Sequence, residues 1–213
     1  CGQTINEAIV IDFTKHLNSI VEVDAENRTA VVQPGLVLDQ LNGALKDHGL
    51  WFPVDVSTSS RATLGGMAAN NSCGARSFRY GIMRDNVESI DAILPDGTHA
   101  RFEEVAANLS DLNTLDKKGQ LFRDLLDLGS REETEIKARF PDLMRRVGGY
   151  NIDALMPNVD GLEAARTISR RSLCDSCKLI NGVCCTCCGG ATFACQSLYP
   201  SSAILELGFE PGS

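Results

Sequence analysis

Short apolar runs punctuated by polar turns dominate the first hundred residues. Residues 8–12, 20–24 and 29–33 are rich in β-branched residues and are separated by turns such as Ala25, Glu26, Asn27 and Arg28, a pattern that predicts strands of a small sheet. Pro34 and Gly35 end the third run. Val37, Leu38, Leu41, Ala44, Leu45 and His48 then recur at helical spacing until Gly49 supplies a stop, so one amphipathic helix is expected to pack on that sheet. Residues 87–94 resume as a strand, Pro95, Asp96 and Gly97 signal a turn, and residues 98–102 read as the returning strand. Residues 103–119 are polar and loop-like, followed by expected helices at 120–128 and 131–140, the second interrupted by Pro141.

Between the helix and the later hairpin lies a stretch with neither period. Residues 54–75 place hydroxyls before Gly65 and Gly66, small residues after them, and Gly74 after Asn70 and Asn71, with few bulky side chains throughout. Such composition lets backbone come close to something. A dinucleotide pyrophosphate is held well by convergent N–H donors, often at a helix N-terminus, and residues 63–66 are placed to start such a helix, with the hydroxyls of residues 57–60 completing the donor set. Neither a Rossmann Gly-x-Gly-x-x-Gly nor a Walker loop occurs, which disfavours NAD and ATP. Taken alone, Gly65, Gly66 and Gly74 suit plain surface turns equally well.

With 213 residues and 43% hydrophobic content the chain has enough apolar side chains for a globular core. A net charge of −8 argues against nucleic acid as the main partner, and a phosphorylated ligand would have to be met mainly by backbone N–H groups and hydroxyls. No apolar run is long enough to span a membrane, and the first residues lack the basic and apolar regions of a signal peptide, so no transmembrane segment and a cytoplasmic location are expected. The chain starts at Cys1 and runs almost at once into a strand, from which further sequence upstream is expected. Seven of the nine cysteines lie between Cys174 and Cys195, which divides the chain into an ordinary α/β zone ending near Gly161 and a Cys-rich tail.

The run from Phe52, Pro53, Val54 and Asp55 through Thr63, Leu64, Gly65 and Gly66, then Asn70 to Ser77, Arg79, Tyr80 and Gly81, Asp85, Asn86 and Val87, and Leu94 to Gly97 resembles the FAD-binding domain of the vanillyl-alcohol oxidase superfamily. Within it the resemblance is to the D-lactate and D-2-hydroxyglutarate dehydrogenase branch, particularly members with an iron-sulfur extension. It covers residues 1–161 and implies an α+β fold of two lobes, incomplete at both ends, with 162–213 as a tail outside the family pattern. The implied cofactor is FAD, and the implied reaction is oxidation of a D-2-hydroxy acid to the 2-oxo acid by hydride transfer to the flavin.

Carried over residue by residue, the resemblance assigns cofactor contacts to Gly2 and Gln3 at the end of a first loop. It assigns a second set at Pro53, Asp55, Ser57, Thr58, Thr63, Leu64, Gly65 and Gly66, and a third at Asn70, Asn71, Ser72, Cys73, Gly74 and Ala75, with Tyr80 and Gly81 close behind. A fourth family motif, Gly-Ser-Glu-Gly-Thr-Leu, is missing, as is the substrate-binding domain with its metal-binding His and acidic residues, so no catalytic residue is assigned. Any iron-sulfur cluster belongs to the part not present in this sequence. The electron acceptor is not identified, and membrane association is expected only through it. An alkyl-glycerone-phosphate synthase-like flavoprotein shares the implied fold and remains an alternative enzyme.

Three readings stay open for the tail. Cys174, Cys177, Cys184 and Cys187 have zinc-ribbon-like spacing, the ferredoxin-type cysteine run is absent, and the loss of family pattern after Gly161 is also what a frameshift or aberrant gene end produces. On those readings the chain is a zinc-binding interaction module or an inactive remnant. Elsewhere Trp51 suits a core anchor, Cys73 a small buried thiol, and Arg84 with Asp85 either a local ion pair or a pair near the flavin.

Overall fold

The computed structural model describes residues 12–94, 96–103, 116–141, 143, 152–157 and 199–209, and the strand expected at residues 8–12 falls outside them except for Asp12. The fold is mixed α+β. Strands β1 (Ile20–Asp24) and β2 (Thr29–Val32) form an antiparallel hairpin whose turn is fixed by Asp24, which accepts from the Asn27 amide at 2.9 Å and its Nδ2 at 2.7 Å. Those two hydrogen bonds, the backbone one first, hold the Asp24 carboxyl below its usual range. Alternation in β2 buries Ala30 and Val32.

Helix α1 (Leu38–Leu45) buries Leu38, Leu41 and Leu45, the stripe its spacing predicts, and tightens into a 3₁₀ turn over Lys46–His48. Gly49, at φ 66°, ends it in the left-handed conformation. No side chain caps its start. Leu38 N instead donates to Ala62 O at 3.0 Å and Asp39 N to Ser59 O at 3.3 Å, so the loop after β3 (Leu50–Trp51) serves as the cap. Helices α2 (Leu64–Ala69) and α3 (Ser77–Tyr80) follow, then β4 (Val87–Ile93) and β5 (His99–Phe102), paired antiparallel around a turn with Gly97 at φ 84°.

Helix α4 (Lys117–Arg131) begins three residues before the expected position because Asp116 caps it, its Oδ1 accepting from Gly119 N at 2.7 Å. Phe122 on α4 stacks on Phe102 of β5 at 6.1 Å, which docks the helix on the sheet. Helix α5 (Glu133–Arg139) stops before Pro141 as expected.

The C-terminal part of the tail supplies two strands for which the local pattern gave no element. Strand β6 (Tyr199–Glu206) enters the middle of the five-stranded sheet, order β1-β2-β6-β4-β5, antiparallel to both neighbours. Strand β7 (Gly208–Phe209) turns away to pair with β3. Leu205 and Leu207 join the buried cluster with Ala30, Val32, Leu41, Phe52, Ile90 and Phe102. The core is therefore closed by sequence more than a hundred residues beyond the strands it joins.

Candidate functional site

Two of the three small-residue segments singled out in the sequence are brought together. Asp55 joins them: its Oδ1 accepts from Arg76 N at 2.9 Å, and its carbonyl lies so close to Gly74 that a Cβ there would stand 1.3 Å from the oxygen. Only glycine permits that approach. Gly74 N in turn donates to the buried Ser77 Oγ at 2.9 Å, which fixes the entry into α3.

Thr63, Leu64, Gly65 and Gly66 do open a helix, with Thr63 as its cap, Oγ1 accepting from Gly66 N at 3.3 Å. The donors of that first turn are engaged inside the fold. Leu64 N reaches Leu36 O at 2.9 Å, Gly65 N reaches Pro34 O at 2.8 Å and Met67 N reaches Thr63 O at 2.8 Å. A Cβ on Gly65 would fall 2.6 Å from the Pro34 Cβ. The close approach that the glycine pair signals is, at Gly65, an approach to the chain's own Pro34.

The third segment is held from behind by two buried asparagines. Asn71 is fully buried at φ 47°, and its Oδ1 accepts from Arg84 N at 3.0 Å. Asn86 Nδ2 donates to Tyr80 O at 3.0 Å and Ile82 O at 2.9 Å. Gly81, at φ 81°, packs on Asp85, whose Oδ2 accepts from Ile82 N at 2.9 Å. Residues 70–86 are thereby fixed as one unit. Cys73 is half-buried, while Ser57, Thr58 and Ala75 are exposed on the surface of the loops. Pro53 and Leu64 are buried beneath them.

Trp51 adds an element that residue type alone did not assign to the site. The Arg76 guanidinium lies 4.7 Å over its ring, and Tyr80 meets it edge-on at 5.6 Å and 87°, with Arg79 over Tyr80 at 5.3 Å. No period or motif signals this cluster, because Trp51 is separated from its partners by more than twenty residues and reads as core.

The electrostatic character of the assembly differs from that of the chain. Residues 53–81 carry Arg61, Arg76 and Arg79 against Asp55, in a protein of net charge −8. Asn71 Nδ2 and Trp51 Nε1 are buried donors with no acceptor among the described residues. The local excess of arginine over carboxylate suits a ligand of negative charge.

Gly2 and Gln3 lie outside the described residues, as do Cys174, Cys177, Cys184 and Cys187. Among the described residues no group of three or more His, Cys, Asp or Glu is placed to hold a metal, and no helix is long and apolar enough to cross a membrane.

Comparison with known proteins finds that the family described as FAD binding domain matches residues 1–103. The chain is 37% identical over 153 residues to D-2-hydroxyglutarate dehydrogenase of Pseudomonas putida, covering 71% of this chain and 15% of that protein. It is 36% identical over 155 residues to D-2-hydroxyglutarate dehydrogenase of Pantoea ananatis, again 71% of this chain and 15% of that protein. A mitochondrial D-lactate dehydrogenase of Saccharomyces cerevisiae is 38% identical over 94 residues, 44% of this chain and 16% of that protein. The chain thus spans about a sixth of the length of these relatives.

Proposed function

We propose, from the premise that residues 1–103 form an FAD-binding domain homologous to that of the D-lactate and D-2-hydroxyglutarate dehydrogenases, that this chain is the FAD-holding part of a D-2-hydroxy-acid dehydrogenase. The observation that carries the reading is the convergence of the 53–57 and 70–77 segments around Asp55 and Gly74. A flavin dinucleotide presents a diphosphate, which suits the locally positive balance of residues 53–81.

In this reading the third segment, Asn70 to Ala75 with Tyr80 and Gly81, does most of the binding. Asn71 holds the segment's shape through Arg84 N, and Gly74 lets its backbone lie against Asp55. The second segment contributes through Pro53, Asp55, Ser57 and Thr58. Thr63, Leu64, Gly65 and Gly66 act chiefly by holding the loops in place, since their first-turn amides already have acceptors in the fold. Arg76 and Arg79, steadied on aromatic faces, offset the diphosphate charge.

When bound, FAD supplies the acceptor for a hydride from the α-carbon of the hydroxy acid, leaving a 2-oxo acid once the hydroxyl proton has gone to a base. No residue of this chain is assigned as that base, so the part proposed for the chain is to hold the cofactor.

The test is incubation of the purified chain with FAD, removal of free FAD by desalting, and a visible spectrum. Retention of about one flavin per chain is expected, with Asn71→Leu retaining less. A colourless wild-type chain that is folded by circular dichroism would end the proposal.

A further inference from the structure

Trp51 occupies a junction that nothing in its local sequence explains. It lies on β3, its ring carries Arg76 and Tyr80, and the residues that follow it, Phe52 and Pro53, lead into Asp55. Its strand is paired with β7, Leu50 opposite Phe209 and Trp51 opposite Gly208. A Cβ on Gly208 would stand 3.0 Å from Trp51 Nε1, 3.6 Å from its Cδ1 and 3.8 Å from the Pro53 Cβ. Residue 208 therefore sets how far the indole edge can sit toward the C-terminal strand.

Strand β7 is tied in turn to the rest of the sheet. It follows β6 directly, Glu206 N donates to Asn86 O at 3.0 Å, and Leu207 N donates to Arg28 O at 2.8 Å. One short stretch, residues 206–209, thus touches the β1–β2 turn, the strand that precedes the second site segment, and the residue that anchors the third.

We propose that Gly208 and Trp51 are the positioning residues of the candidate site: the glycine leaves room for the indole, and the indole seats Arg76 and Tyr80. This rests on the flavin reading only for its ligand. A larger side chain at 208 displaces the indole, and the displacement is passed to both ends of residues 76–80 while the five-stranded sheet is kept. Positioning of this kind acts at a distance because packed side chains transmit small shifts.

Trp51 is the chain's one tryptophan, so its emission reports this junction alone. In the full chain, Gly208→Val is expected to raise acrylamide quenching of Trp51 and to speed trypsin cleavage after Arg76 and Arg79, with the circular dichroism spectrum unchanged. Indole emission overlaps flavin absorption, so FAD titration should quench Trp51 in the wild-type chain, with affinity roughly tenfold weaker in the variant, the scale of one lost contact. Should Gly208→Val fail to fold, Trp51→Phe keeps a ring at the junction and removes the indole edge; it is expected to show the same faster cleavage and weaker binding, read from flavin fluorescence. If Trp51→Phe, or a folded Gly208→Val, matches the wild-type chain in cleavage rate, the proposal is overturned. Failure of the wild-type chain to bind FAD defeats the functional reading instead, and the quenching and cleavage measurements still decide the positioning one.

Discussion

At the scale of single residues, the glycines of this chain divide by what surrounds them. Gly74 meets the Asp55 carbonyl so closely that a Cβ would fall 1.3 Å from the oxygen, an overlap with backbone that no side-chain rotation relieves. Gly74→Ala must push the 53–57 and 72–77 segments apart, and the expected cost is about 1–3 kcal/mol, the range of overpacked sites. Gly43 lies within α1 with no atom inside 4 Å of a built Cβ. Gly43→Ala is expected to gain about 0.5–1 kcal/mol from lower chain entropy in the unfolded state and better helix propensity. Urea denaturation of both variants checks the pair, and a Gly74→Ala chain as stable as the parent would mean that the two segments do not touch as described. Asn71 resembles Gly74 in being indispensable to local shape for a different reason: at φ 47° it adopts a conformation open to Asn, and its Oδ1 pins Arg84 N.

At the scale of elements, most of the local order was legible and the closing strand was not. The β1–β2 hairpin, α1 with its Gly49 stop, and the β4–β5 pair all declare themselves through short-range features: β-branched runs, a leucine stripe, turn residues at 95–97. Strand β6 does not, because what makes Ala203, Ile204 and Leu205 a strand is an empty place between β2 and β4, which no local pattern contains. The site was legible as segments and not as contacts. A glycine that permits close approach reads the same whether the neighbour is a ligand or the chain itself, and Gly65 proves to face Pro34. The position of β6 carries its own expectation. Leu205 is fully buried between two strands, so Leu205→Ala should cost about 2–5 kcal/mol, whereas Val21→Ala on the exposed edge strand β1 should stay within about 1 kcal/mol. Equal effects in thermal melts would argue that β6 is not held at the centre of the sheet.

At the scale of the molecule, β6 and β7 make two regions of the chain depend on each other. Without β6, the β1–β2 hairpin and the β4–β5 pair each present an open strand edge, and neither two-stranded piece buries enough to be stable in water. With it, Ala30 faces Leu205 on one side while Val87 faces the same residue on the other, so loss of either pairing exposes the core of both. Trp51 samples this arrangement from the site side, through β7, and backbone circular dichroism samples it from the sheet side. If the site is built on the closed sheet, the two signals should report a single unfolding transition with the same midpoint in urea, as coincident probes do for a cooperative domain. A Trp51 transition completed at lower urea, before the sheet signal moves, would show that the 50–81 region opens while β6 remains in place. That outcome would separate order in the candidate site from sheet closure and leave β7 a passenger, whereas coincidence makes the C-terminal strands a condition of that site's order.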